Sequence, residues 1–360
     1  MPSAESVSHE DLVICACGDR EYKARDAVDA ALWRGALDDS WQHFLAGLAA
    51  EKRADELDLE IDEGELDAAA EAFRYGHDLI TAEETEQWLA TRGLTLDVFS
   101  DYFARQYCAG KLADEVTPTP TSYVAASGEL RRLFAGDLIL SGDLDRISEE
   151  LIWRLAAWTA EEEAEGGRAE EEHFFERHQI KADELPDWLS GLGRDAAWFS
   201  EMAAMEAAYR RRCEALLVPQ SRQRELATMR LPLTRFEAEV LELESRDAAQ
   251  EALFCIKEDG MSMEEVAVEG RYAYRQIDFL LEDLPPDLQQ KFLSVSPGDV
   301  LDPMPREDGF ELARIKSKIE PNAEDPAVRL RIEQRMLDRH FAELSSKHVE
   351  RRLNAATSTE

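Results

Sequence analysis

Two pairs of side chains in this sequence are of the types that bind metals or carry out redox chemistry. Cys15 and Cys17 stand two residues apart in LVICAC, and His173 and His178 stand five apart in HFFERH. Two thiols on one face of a strand could supply half of a tetrahedral zinc site, but no second cysteine or histidine pair lies near them in sequence to complete it. The five-residue spacing does not place the two histidines on one helical face. We therefore expect structural roles for both pairs, with no metal and no cofactor.

Other motifs with a known chemistry are missing from the sequence. The acidic stretch EDGMSMEE lacks the alternating acidic positions of a calcium loop, and there is no phosphate loop, dinucleotide fingerprint or nucleophile elbow. The five cysteines are odd in number and scattered, which favours reduced thiols over a disulfide framework. We expect no catalytic residues of these classes.

Charge limits the partners of the chain. The 77 acidic residues outnumber the 41 lysines and arginines, so the net charge is −36 over 360 residues. Such a chain would repel nucleic-acid phosphates, and it would favour basic or neutral partners. No apolar run is long enough to span a membrane, and the acidic start MPSAESVSHEDLV is unlike a secretory signal. The sequence thus predicts a cytoplasmic protein with no nucleic-acid or membrane partner.

An internal repeat organises the first two thirds of the chain. ITAEETEQWLATRGLTLDVFSDY, Ile80–Tyr102, returns as IKADELPDWLSGLGRDAAWFSEM, Ile180–Met202, with eight identities in 23 ungapped positions. Thr81 and Glu84 predict a helix-starting capping box. Glycine at 93 and 193 suits a left-handed helix end, and Thr95 and Asp195 can cap the next helix. Each copy is therefore predicted to be a helix–turn–helix with its tryptophan and phenylalanine packed at the turn.

The elements around the repeat follow from local patterns. LVICAC, Leu12–Cys17, reads as a strand, and the proline-containing VTPTPTS, Val116–Ser122, as a linker. After Pro232 the pattern changes to strand, amphipathic helix, short helix, strand, helix and closing strand, the last being Gly309–Ile319. A long helix is predicted over Asp325–Leu353, with a proline in its first turn.

This order of elements resembles the SurA/PpiC group of parvulin-type prolyl isomerases and chaperones. ITAEETEQWLATRGLTLDVFSDYFARQ is similar to an element of the group's N-terminal helical module. LPPDLQQKFLSVSPGDVLDPMPREDGFELARI, Leu284–Ile315, is similar to the parvulin helix, the L-x-x-G-E-V-S-x-P-V turn and the G-Y-H-I-I strand. A trailing helix is also usual in the group.

The departures from the parvulin pattern concern its polar residues. Parvulins usually carry one histidine in the first strand, in H-I-L, and one in the closing strand, in G-Y-H. The corresponding positions here are near Val240 and at Glu311, and Leu233–Glu320 contains no histidine. The central segment with Ser-Asp and Gly-Gly-x-Leu-Gly features is missing or shortened around Val268–Arg275. The resemblance therefore implies a degenerate parvulin domain with no catalytic residues.

The resemblance also implies where a peptide would bind. The apolar positions of the proline pocket correspond to Leu284, Leu288 and Leu293, and the closing strand adds Phe310 and Glu311. These five residues are the predicted peptide-binding site.

The predicted fold is α+β and mostly α, with duplicated SurA-like helical modules before the parvulin-like domain. The predicted boundaries are residues 1–115 for the first module, 116–125 for a linker, 126–231 for the second module, 232–321 for the parvulin-like domain and 322–360 for the C-terminal helix and tail.

The leading functional hypothesis is a non-catalytic chaperone or holdase for unfolded or precursor peptides, including an accessory role in maturing a ribosomally made peptide. One alternative is an active prolyl isomerase with a rebuilt site that uses Glu311, Asp299 or Cys255. Another is a helical-repeat adaptor that docks a folded partner.

Overall fold

The computed structural model describes residues 9–161, 167–306 and 308–353. The first eight residues of the predicted first module and the last seven of the predicted tail lie outside these ranges. The chain divides into two units, one formed by residues up to Cys213 together with those from Arg339 onward, and one by Glu214–Asp338. Most described residues are helical and the sheets are small, which confirms the predicted fold class. The finer module boundaries remain predictions.

The first unit contains a small sheet and ten helices among its described residues. The strands are β1 Val13–Cys17, β2 Arg20–Lys23 and β7 Glu350–Arg351. The helices are α1 Ala24–Trp33, α2 Asp38–Glu56, α3 Glu63–Gly76, α4 Ala82–Thr91, α5 Leu96–Leu112, α6 Gly128–Ser141, α7 Asp143–Thr159, α8 Arg168–His178, α9 Leu185–Leu192 and α10 Ala196–Leu216.

The small sheet has the order β2-β1-β7, with β1 antiparallel to both neighbours. The predicted N-terminal strand is thus confirmed, and its buried Cys15 lies opposite Arg351. The prediction that the last helix runs to Leu353 is wrong at its end. That helix, α15 Pro326–His348, stops before β7 because the chain there becomes extended and pairs with the free edge of β1.

The local signals of the repeat are confirmed in both copies. Thr81 Oγ1 accepts from the Glu84 amide, and the Glu84 carboxylate accepts from the Thr81 amide at 2.7 Å. Thr95 and Asp195 cap α5 and α10 through their side-chain oxygens. The glycines at 93 and 193 have φ of 70° and 67°, a region in which a Cβ would be strained.

An aromatic–histidine cluster recurs in the two copies and extends the repeat upstream. Phe73 contacts His77, Trp88 and Phe99, with ring centroids 4.3–5.4 Å apart. The second copy repeats these contacts with rings 4.5–4.9 Å apart, between Phe174 and the residues His178, Trp188 and Phe199. The histidine of each copy therefore completes an aromatic core, which is a structural role.

The two copies share one continuous hydrophobic core. Trp33, from α1, stacks on Phe174 of α8 with centroids 5.4 Å apart. His178 Nε2 and Arg177 Nη1 both lie within hydrogen-bond distance of the Trp33 carbonyl oxygen. The predicted linker also packs, since Tyr123 is buried and the Trp41 indole donates to the Thr121 carbonyl.

The second unit contains a four-stranded antiparallel sheet. Its order is β4-β3-β6-β5, which places β3 and β6 at the centre. The elements are α11 Pro219–Thr228, β3 Arg235–Leu243, α12 Arg246–Lys257, α13 Met263–Gly270, β4 Ala273–Leu280, α14 Pro286–Ser294, β5 Met304–Arg306 and β6 Gly309–Ile319, followed by the first part of α15. The predicted order of strands and helices is confirmed, and the short strand β5 was not predicted.

Replacing Phe174 with alanine should remove the centre of the shared core. Phe174 has no exposed surface, so we expect the substitution to lower the free energy of unfolding of the first unit by about 3–5 kcal/mol. All seven tryptophans lie in this unit, so urea unfolding followed by tryptophan fluorescence measures it selectively. Tyr75→Ala, at a side chain that is 59% exposed, should cost less than about 1 kcal/mol, and equal losses for the two variants would contradict the shared core.

The stability of the first unit should also depend on pH through His178. Burial lowers the pKa of its imidazole, so the unfolded chain binds the proton more tightly than the folded one. The stability contribution of neutral His178 is therefore complete above the unfolded pKa of about 6.5. It is lost as the pH falls below that value and through the lower pKa of the folded state. His178→Gln should make the loss of stability between pH 7.5 and 5.5 smaller than in the wild type.

The difference between variant and wild type is the quantity to measure, because other groups titrate in the same range. The pKa of Asp29, for example, is raised by burial to about 6 and acts in the opposite direction. An NMR titration that gave His178 a pKa above 6.5 would refute this prediction.

Candidate functional site

The two faces of the second sheet are covered by different helices. Side chains of β3 alternate, so Phe236, Ala238 and Val240 pack with residues of α14, while Leu241 and Leu243 pack with α12 and α13. We name these the α14 face and the α12 face. The residues that resemble parvulin positions are divided between the α14 face and the α12 face.

Three phenylalanines hold α14 on its face of the sheet. The Phe292 ring contacts Phe279 and Phe236 edge-on at 5.2 and 5.8 Å, and Phe236 and Phe279 stack at 5.8 Å. Pro286 starts the helix at a position where its missing amide costs nothing. The helix is thereby fixed with one side toward the sheet and the other toward solvent.

The three predicted leucines lie along this helix and its start. Leu284 and Leu288 are half-buried and pack against the cluster of the three phenylalanines, and Leu293 is 36% exposed. We call these three residues the apolar strip. They could contact an apolar client side chain without an extensive rearrangement of the core.

Val240, near which parvulins usually carry their first histidine, and Glu311, at the position of the second, both lie on the α14 face. Val240 is completely buried, with Arg275 and Ala313 as its cross-strand partners. Glu311 lies directly opposite Glu242. Two carboxylates in that position would repel each other unless they were neutralised.

Two arginines neutralise the carboxylate pair. Arg275 lies 3.1 Å from Glu242 and 3.4 Å from Glu311, and Arg306 lies 2.6 and 3.5 Å from the same two residues. The hydrogen bond from Arg306 lowers the pKa of the Glu242 carboxyl, although solvent reaches this pair. We call the four residues the charge quartet. The Glu311 carboxylate thus has two guanidinium partners within the domain.

The remaining sequence-predicted residues lie elsewhere in the unit. Phe310 packs with the α12 face and is therefore separated by the sheet from the apolar strip. Cys255 packs on that same α12 face, whereas Asp299 accepts a hydrogen bond from the Ser296 amide in the loop after α14. Glu311, Asp299 and Cys255, the candidates for a rebuilt isomerase site, thus do not lie on one face of the sheet.

Sequence reasoning missed the charge quartet. Arg306 belongs to the unpredicted β5, and Arg275 lies 36 residues before Glu311 in the chain. The only available signal was the alternation of charged and apolar residues in AYRQIDF and GFELARI, which predicts faces but not the register between strands.

Neither a metal centre nor a membrane span is found among the residues described. Residues 9–161, 167–306 and 308–353 contain no cluster of three or more histidine, cysteine, aspartate or glutamate side chains that could hold a metal ion. Over the same ranges, every helix is too short or too polar to cross a bilayer.

A scan against protein-family models and a search of curated proteins give no match. The solved structures to which the chain is similar include PrsA proteins and SurA-like chaperones. PrsA from Bacillus cereus aligns over 67% of this chain and 92% of its own at 10% identity and a TM-score of 0.37. PrsA from Streptococcus pneumoniae aligns over 68% and 94%, at 11% identity and a TM-score of 0.27.

A third similar structure comes from work on two SurA-like chaperones of Campylobacter jejuni. It aligns over 95% of this chain and 99% of its own, at 11% identity and a TM-score of 0.20. Identities and TM-scores this low transfer neither an activity nor a client to this chain.

Removing Glu311 should have a small effect on stability. The partner arginines are 49% and 44% exposed, so water can solvate them once the carboxylate is gone. We expect Glu311→Ala to lower the free energy of unfolding of the second unit by about 1 kcal/mol or less, measured by urea unfolding with circular dichroism. Glu324→Ala, at an exposed site, is the matched control. A loss above about 3 kcal/mol would mean that the quartet is an essential buried network.

Proposed function

We propose that this protein is a peptide-binding chaperone whose parvulin-like domain does not catalyse prolyl isomerisation. The observation that carries the proposal is the combination on the α14 face of an apolar strip with a charge quartet. The family resemblance places one histidine near Val240, which is buried among apolar groups, and the other at Glu311, which is paired with two arginines.

Catalysis of prolyl isomerisation would have to lower a high barrier to rotation about the peptide bond. Rotation about a peptide bond faces a barrier of ~18–20 kcal/mol, and an isomerase lowers it by holding the twisted amide in an organised polar pocket. The side chain of a buried valine offers no hydrogen bond, and the Glu311 carboxylate already contacts two guanidinium groups. What remains on this face is apolar surface, which can bind but not polarise an amide.

The expected affinity is low. A client side chain the size of leucine gains about 1.5–3 kcal/mol when fully buried, and association costs at least about 4 kcal/mol. Two or three such contacts therefore support dissociation constants from hundreds of micromolar to millimolar. Weak, exchanging binding of this kind suits a holdase that must release its client.

The proposed clients are unfolded or precursor polypeptides that are neutral or basic overall, because the net charge of −36 repels acidic chains at long range. A role in maturing a ribosomally made peptide is a narrower form of this proposal and is supported only by the family resemblance. The cytoplasmic location likewise remains a prediction.

Exchange NMR on a flexible peptide with a central Ala-Pro bond and leucines on both sides tests the proposal. Titration with the protein should broaden and shift the peptide signals in a saturable way, while the cis–trans exchange rate stays at its uncatalysed value. Leu293→Asp should weaken this binding severalfold because it places a charge in the apolar strip. Leu293 is partly exposed already, so the variant should fold.

Val268→Asp is the matched control for that variant. Val268 is 74% exposed and lies on α13, which covers the opposite face of the sheet. Its substitution should leave peptide binding unchanged. Exchange peaks that accelerate in proportion to protein concentration would make the protein an isomerase, and equal effects of the two aspartates would place the binding site elsewhere.

A further inference from the structure

The second unit has a cavity of ≈ 930 Å³ whose lining includes neither the apolar strip nor the charge quartet. Its walls are the C-terminal ends of α12 and α14, the turn at Gly260–Ser262, the connection Val295–Pro303 and Arg314 of β6. Its volume is at the upper end of the range for pockets that hold small ligands, so it can take a peptide segment of a few residues and not only a single ion.

The connection that forms one wall is held in place by β6. Gly298 N donates to the Ile315 carbonyl at 2.7 Å, Ile315 N donates to the Asp299 carbonyl at 3.0 Å, and Leu301 N donates to the Ala313 carbonyl at 2.8 Å. These bonds continue the ladder of the sheet beyond β5. The cavity is therefore preformed, which lowers the entropic cost of binding.

Three cationic side chains line the cavity. Arg314 is half-buried, and its guanidinium makes no hydrogen bond or ion pair with any residue in 9–161, 167–306 or 308–353. Lys291 is likewise unpaired within the same ranges. Lys257 Nζ lies 3.8 Å from Oδ1 of Asp302, whose side chain is 92% exposed.

The lack of a partner for Arg314 is not explained by a shortage of carboxylates. Glu239 is its direct cross-strand neighbour, yet the two side chains do not form an ion pair, and Glu239 instead accepts from the Tyr274 hydroxyl at 2.9 Å. Arg314 is not among the described residues with buried polar side-chain atoms that lack a partner, so its guanidinium is open to solvent and to a ligand.

Two of the three carboxylates that line the cavity accept hydrogen bonds from backbone amides, and the third, Asp302, lies beside Lys257. Glu265 accepts from the Ser262 amide at 2.8 Å, which lowers the pKa of its carboxyl. Asp299 accepts from the Ser296 amide at 2.8 Å. Both stabilise local turns, so the charges of Arg314 and Lys291 remain available to a ligand.

We propose that this cavity binds an oxyanion, the carboxylate of an acidic residue or C-terminus within a client peptide, through Arg314 and Lys291 with Lys257 at its rim. The assignment rests on the proposed peptide-binding function and adds to it a specificity for one anionic group in a neutral or basic client. Guanidinium forms strong, charge-assisted bonds to carboxylate and to phosphate, so both ions share the required chemistry.

The overall charge of the protein does not prevent such binding. At 0.15 M ionic strength the Debye length is about 8 Å, so distant carboxylates are largely screened while groups in the cavity act at contact distance.

Fluorescence anisotropy at 0.15 M salt tests the proposal with two labelled peptides that differ only in a central glutamate or glutamine. The glutamate peptide should bind more tightly to the full chain. Arg314→Gln should weaken its binding about tenfold or more and remove the preference. Lys291→Gln, on a different element, should also weaken it. Lys316→Gln removes an exposed cation from the same strand as Arg314 and should change affinity less than about twofold.

Calorimetry with sodium phosphate at constant ionic strength distinguishes a free anion from a peptide carboxylate. If both peptides bind equally, or if Arg314→Gln and Lys316→Gln weaken binding to the same extent, the oxyanion site is refuted while peptide binding stands. If neither peptide binds but phosphate binds in an Arg314-dependent manner, the oxyanion chemistry stands and the peptide function fails. If neither peptide nor phosphate binds, both are refuted.

Discussion

The stack of Trp33 on Phe174 is the interaction on which the first unit depends. The two rings come from different halves of the duplicated region, and each is completely or almost completely buried. His178 adds to the contact by packing on Phe174 and reaching the carbonyl of Trp33. Because the aromatic cluster of the second copy includes Trp33 from the first half, the core of the second half is not complete by itself.

This arrangement explains which parts of the repeat could be read from the sequence. Thr81 and Glu84 bond to each other's amides, and Gly93 acts through its own backbone conformation. Their roles therefore follow from local backbone requirements. The two histidines pack on rings of their own copy, and the one-residue difference between His77–Ile80 and His178–Ile180 hides their equivalence from an ungapped comparison. The further contact of His178 with the Trp33 carbonyl spans 145 residues, so no local pattern could predict it. The pairing of Arg351 with Cys15 is still more distant, and a two-residue strand has no periodicity to detect.

In the second unit the order of elements was readable, but the chemistry of the α14 face was not. Strands and helices followed from alternation, proline positions and glycine. The charge quartet depends on the register of three strands, because Glu242 and Glu311 face each other only in the alignment that β3 and β6 adopt. The sequence could show that histidines are absent, whereas only the structure shows that two arginines occupy the space around Glu311.

The acidic excess of the chain bears on the meaning of its unpaired cations. With 77 carboxylates for 41 lysines and arginines, a positive side chain meets acceptors on most surfaces of the protein. Arg275 and Arg306 show the usual result, since each of them contacts two carboxylates. Arg314 has a glutamate as its cross-strand neighbour and still forms no ion pair with any residue that the structure describes. The carboxylates nearest to it in the fold have other partners, since Glu265 and Asp299 accept from backbone amides and Glu239 accepts from the Tyr274 hydroxyl. Arg314 is therefore left for a carboxylate from outside the chain.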